Sequence, residues 1–86
     1  MPDYTVRAWA DFEGEIEDVR GRLEDAIAGA GGSDLFAEDE AGARVSLEFR
    51  LAAGSANAAT EATDDLLRSV FPDAERGVVS VDRVAD

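Results

Sequence analysis

The segment Tyr4-Thr5-Val6-Arg7-Ala8-Trp9-Ala10-Asp11-Phe12 alternates with period two. Tyr4, Val6, Ala8, Ala10 and Phe12 fall on one face, and Thr5, Arg7, Trp9 and Asp11 on the other. A strand with one buried face has this pattern. The period then changes. Across residues 15–30, Ile16, Val19, Leu23, Ala26, Ile27 and Ala30 lie on one helical stripe. Glu15, Glu17 and Asp18 crowd the first turn, where the helix dipole favours anions. Asp18 and Arg22 stand four apart, in the order that favours an ion pair. Gly29, Gly31 and Gly32 end the helix.

The same sequence of periods returns downstream. Residues 33–38 are a short strand candidate, and Asp39-Glu40-Ala41-Gly42 reads as a turn, with Gly42 suited to a positive φ. Residues 43–52 alternate again. Ala43, Val45, Leu47, Phe49 and Leu51 point one way, and Arg44, Ser46, Glu48 and Arg50 the other. Gly54-Ser55 opens a second helix with Ser55 as N-cap. Its apolar stripe is Ala59, Ala62, Thr63, Leu66, Leu67 and Val70, and Pro72 stops it after Phe71. Residues 77–84 form the last strand. A faint echo at an offset of forty sets Glu24-Asp25-Ala26-Ile27 against Asp64-Asp65-Leu66-Leu67.

The element order over residues 1–86 is β-α-β-β-α-β in one domain. Two β-α-β halves joined by a hairpin resemble the ferredoxin-like split β-α-β fold. That resemblance implies an α+β domain with a four-stranded antiparallel sheet. Right-handed crossovers give the strand order 4-1-3-2 and put both helices on one face. The resemblance is one of topology, and this fold serves many functions, so it assigns no role to any residue.

Composition narrows the chemistry. The net charge is −12 over 86 residues, with eight Arg and no Lys, His or Cys. Absence of Cys removes thiol nucleophiles, disulfides and sulfur-ligated metals. Absence of His removes the commonest general base and transition-metal ligand. Absence of Lys removes Schiff-base chemistry and the phosphate-loop cation. The expectation is a non-enzymatic protein with no catalytic residue, no cofactor and no metal. Phosphates repel such an anion, so neither nucleic acid nor a membrane is expected as partner. No apolar run reaches the roughly 20 residues of a membrane span. Met1-Pro2-Asp3-Tyr4 does not begin a signal peptide, and a cytoplasmic location is expected.

Three motifs invite chemistry and lose it on inspection. Asp11, Glu13, Glu15 and Glu17 around Gly14 depart from calcium-loop spacing and run directly into a helix. Glu38-Asp39-Glu40 reads as solvated acids at a hairpin tip. Gly29-Ala30-Gly31-Gly32 follows a helix, whereas a phosphate cradle precedes one.

The surfaces carry the remaining information. With helices on one face, the other is open. It is expected to show Thr5, Arg7, Trp9 and Asp11, Arg44, Ser46, Glu48 and Arg50, with Asp34, Phe36 and Glu38 from the second strand. The fourth strand would add Val78, Ser80, Asp82 and Val84. Trp and Arg are enriched at binding hot spots. The leading expectation is therefore a small acidic protein–protein interaction module. It is expected to self-associate, as a homodimer, through this face or through the Val-rich last strand, or else to bind one other protein. Trp9 would be the anchor, with Arg7, Arg44 and Arg50 around it and Phe36, Val78 and Val84 beside it. The alternative is an inhibitor that mimics nucleic acid and fills a basic groove. Its charge array would be Glu15, Glu17, Asp18, Glu24 and Asp25 on the first helix, with Glu61, Asp64 and Asp65 on the second.

Like-charge repulsion at a net charge of −12 opposes the compact state. Moderate salt screens it and should raise the melting temperature. A thermal scan across salt concentrations checks the sign, and a falling melting temperature would contradict it.

Overall fold

A computed structural model describes residues 1–40 and 43–84. Its elements are β1 (Asp3–Asp11), α1 (Glu17–Gly29), β2 (Gly32–Glu40), β3 (Arg44–Ala52), α2 (Ala56–Val70) and β4 (Arg76–Arg83). The four strands form one antiparallel sheet in the order β2-β3-β1-β4, so β2 and β4 are its edges. This is the order 4-1-3-2 expected from right-handed crossovers.

The alternating strands dictate the core. Tyr4, Val6, Ala8 and Ala10 of β1 are buried, as are Val45, Leu47, Phe49 and Leu51 of β3. Val19, Leu23 and Ile27 of α1 and Ala59, Thr63, Leu66, Leu67 and Val70 of α2 close over them. All the apolar members belong to one cluster, so both helices cover the same face of the sheet. Thr63 is the sole buried polar residue among those described, and its Oγ1 donates to the Ala59 carbonyl at 2.8 Å.

The helix ends follow the sequence signals closely. Ser55 Oγ accepts from the Ala58 N–H at 3.1 Å and caps α2. Gly31, at φ 87°, follows the C-cap Ala30 and turns the chain out of α1. The α1 N-terminus is capped from a distance. The N-cap Ile16 has no side chain able to accept, and its N–H reaches Asp39 Oδ2 at 3.4 Å across the sheet end.

Several boundaries and partners differ from the sequence reading. The first helix begins at Glu17 rather than at residue 15. Its ion pair is Glu17 with Arg20 at 3.1 Å, not Asp18 with Arg22. The second strand runs nine residues, taking in Asp39 and Glu40, which the sequence reading placed in a turn. An edge strand exposed on most sides shows little hydropathy pattern, and only Ala37 of β2 is buried. The positive φ expected at Gly42 lies outside the described residues, whereas Ala43 next to it adopts φ 58°.

Both edge strands are irregular. The β2–β3 register shifts between Ser33 and Phe36, with Asp34 at φ 60°. Ser33, not Asp34, therefore stands opposite Arg50. The β1–β4 register shifts between Arg7 and Ala8: Arg7 pairs with Ser80 and Ala8 with Val78, which leaves Val79 as the extra residue. Val78 consequently joins the helix-side core with Val81, correcting its expected place on the open face.

Gly21 lies on the exposed side of α1 with nothing within 4 Å of the position a Cβ would take. Gly21→Ala should stabilise by about 1 kcal/mol. For a domain this size that is about 4–8 °C in melting temperature. Calorimetry checks it, and an unchanged or lower melting temperature would show that the exposed helix position is not free.

Candidate functional site

Among the described residues no helix covers the second face of the sheet, and which side chains it carries follows from register. Residues directly opposite in paired strands share a face. One row across this face runs Phe36, Glu48, Arg7 and Ser80; the next runs Glu38, Ser46, Trp9 and Gly77. A third ends in Glu40, Arg44 and Asp11, and a fourth holds Ser33, Arg50, Thr5 and Asp82.

Four of the five charges that these rows place in the two central columns pair across strands, and Arg50 stands opposite Thr5. Arg7 Nε lies 2.9 Å from Glu48 Oε1, and Arg44 Nε lies 2.9 Å from Asp11 Oδ1. Both pairs are substantially exposed, which limits each to about 1 kcal/mol or less. Arg44 does a second job. Its guanidinium carbon sits 3.9 Å from the centroid of the Trp9 ring, a cation–π contact. On the β4 side the same ring covers Gly77, where a Cβ would fall 2.7 Å from Trp9 Nε1. Trp9 is thus held in place by Arg44 and by the absence of a side chain at Gly77, and is half-buried.

Apolar surface remains in the open. Phe36 is 58% exposed and Val79 67% exposed, and Met1 is the only other large apolar residue so exposed among the described residues. Phe36 and Val79 line the same shallow groove as Trp9, of about 470 Å³, with Arg7, Arg44 and Glu48 on its walls. Val79 reaches this face because of the β4 bulge, a displacement no alternation rule reveals. Arg50 is exposed on the same face outside the groove. Val84 lies past the end of β4, half-buried, with its N–H donating to the Asp3 carbonyl at 2.9 Å. Of the seven sheet-face residues expected from sequence, the groove brings together Arg7, Trp9, Phe36 and Arg44.

The acidic helix surface is more divided than its composition suggests. Glu17 is engaged by Arg20, and Asp64 and Asp65 by Arg68, at 2.6 and 3.8 Å respectively. Asp64 also faces Arg76, whose largely buried Nε is 3.8 Å away and whose Nη1 donates to the Ala74 carbonyl. Glu15, Asp18, Glu24, Asp25 and Glu61 are exposed. A second depression, beyond the C-terminal end of β1, sets Phe12 and Phe71 edge to face, centroids 5.8 Å apart, among Asp11, Glu13, Asp73 and Glu75. Among the described residues no three carboxylates are grouped so as to hold a metal ion. No helix among them is long and apolar enough to cross a membrane. Neither a protein-family model nor a curated protein sequence matches the chain.

Gly77→Ala should drive its new methyl into the Trp9 indole and force the ring off Arg44. The expected cost is about 1–3 kcal/mol, with Trp9 emission shifted to the red as the ring swings into water. Chemical denaturation monitored at the single Trp measures both. Unchanged stability and emission would show that Gly77 does not hold the ring.

Proposed function

We propose that the chain is a non-enzymatic protein-docking module that works through the open face of its sheet, in a ferredoxin-like arrangement of the β-α-β-β-α-β order. One observation carries this reading: Phe36 and Val79, exposed and apolar, flank a half-buried Trp9 in one groove on the face without helices. Aromatic anchors ringed by Arg stems are the composition of a binding hot spot. A cytoplasmic setting belongs to the same reading.

The edge-pairing version of this reading is less well supported. Edge-to-edge association needs a long, regular, unpaired strand. Bulges at Asp34 and Val79 interrupt β2 and β4, twisting each edge away from a straight template. The face offers a broad surface with its side chains already arranged; the edges do not.

The nucleic-acid-mimic reading rests on the exposed carboxylates of the helices, the opposite side of the molecule. The two readings separate by site and by salt. Phe36→Asp and Val79→Asp should weaken capture of a binding partner about tenfold or more, with little dependence on salt. Neutralising Glu24, Asp25 and Glu61 together should leave capture unchanged. Affinity measurement on these variants decides it. Loss of capture only in the helix variant, or steep loss at high salt, would replace face docking by charge mimicry.

A further inference from the structure

We infer that the occupant of the open face is a second copy of this chain, stacked face to face about a two-fold axis that runs parallel to the strands, between β3 and β1. This rests on the protein-docking reading of the face and names its partner. The register itself carries the inference. Such an axis lays β3 of one copy over β1 of the other and β2 over β4, and leaves each row on its own row. In one row Glu48 of β3 stands beside Arg7 of β1; in another, Arg44 of β3 stands beside Asp11 of β1. Turning the second copy over sets Glu48 above the other copy's Arg7, and Arg44 above its Asp11. By symmetry each pairing occurs twice. The edge columns match as well. Phe36 on β2 shares its row with Ser80, next to the bulged Val79 of β4, so each exposed Phe36 lands against the other copy's exposed Val79. In two of the four rows the β3 and β1 columns carry opposite charges, and the exposed Phe36 and Val79 stand in the two edge columns, so these positions complement one another under this one rotation. Isologous contacts demand such self-complementarity.

Size sets the strength. Strands about 4.8 Å apart and residues rising about 3.3 Å make a face of roughly 20 by 30 Å. That buries about 1,200 Å² in total, the lower limit of specific interfaces. Stacked sheets lie about 10 Å apart, a gap that Trp9, Phe36 and the Arg stems can fill. Two chains each at −12 also repel at long range. The dimer is therefore reversible and is favoured by moderate salt.

The test is sedimentation equilibrium from micromolar to millimolar protein at moderate salt, on wild type, Arg7→Glu, Glu48→Arg and an equimolar mixture of these two. Within either variant chain the neighbouring charges are alike, and in its homodimer the stacked charges are alike too. In the mixed dimer every stacked charge at these positions meets its opposite, although the pairs within each chain stay alike. Wild type should dimerise, each variant should dimerise about tenfold more weakly, and the mixture should recover the dimer. Val79→Lys, which alters an exposed bulge residue outside the core, should also abolish it while circular dichroism stays native. A wild type monomeric up to millimolar concentration overturns the inference. So does a dimer indifferent to the charge reversals, or a mixture no stronger than its components. A monomer whose capture of another protein is still lost in Phe36→Asp overturns only the second copy and leaves face docking standing.

Discussion

The uninterrupted pairing of β1 with β3 is the constraint on which the rest of the structure depends. Nine residue pairs, from Asp3 with Ala52 to Asp11 with Arg44, keep one register without a slip. A one-residue slip would turn every side chain of a strand to the opposite face. Here it would bring Arg7 and Trp9 under the helices and push Val6 and Ala8 into water. The two irregularities fall on the outer strands, where an added residue displaces only its own edge. The core therefore has a regular centre and adjustable margins. Those margins decide which side chains complete each face: Val78 goes inward and Val79 outward at one edge, Leu35 packs inward and Phe36 outward at the other.

What could be read in the sequence follows from the same division. Strict alternation in residues 4–12 and 43–52, and the 3.6-residue stripes between and after them, marked the central strands and both helices, because burial on one side leaves a period. The edge strands leave less of one. Ala37 alone of β2 is buried, so Asp39 and Glu40 looked like turn residues although they remain in the ladder. In Gly77-Val78-Val79-Ser80-Val81 an extra residue cannot be located by hydropathy, since Val on either side reads alike. Of the groove, Trp9 and its Arg neighbours were legible because they sit on the regular strands, while Val79 was hidden by the bulge. The Gly77 contact with Trp9 was hidden by its need for the β1–β4 register.

The −12 charge acquires a geography once the fold is drawn. Arginine is scarce, and half of it holds structural carboxylates near by: Arg20 with Glu17, Arg68 with Asp64 and Asp65, Arg44 with Asp11, Arg7 with Glu48. Arg76 does something different. Its Nε is buried and without a hydrogen-bond partner, drawn toward Asp64 at 3.8 Å. A guanidinium nitrogen cut off from water depends on its counter-charge more than an exposed one does, so Asp64 belongs to the joint between α2 and β4 as much as to the acidic surface. Asp18, Glu24 and Asp25 on α1 and Glu61 on α2 have no such partner and stay exposed, as do Glu13 and Glu15 before α1 and Asp73 and Glu75 after α2.

A domain of this size leaves a large share of its surface in water. Two helices close one face, and the chain then has either to make the other face polar or to lend it to a partner. This chain does neither fully. In two rows across β3 and β1 it places charges that neutralise one another, and at the margins it leaves Phe36 and Val79 uncovered. Those charge pairs contribute little while exposed, and a surface that arrives over them has to offer its own charges or hydrogen bonds in place of the water it removes. Exposed apolar side chains gain from the same event. Under the docking proposed above, the apolar margins would supply the gain on contact and the charge pairs its cost, which together would keep the association reversible.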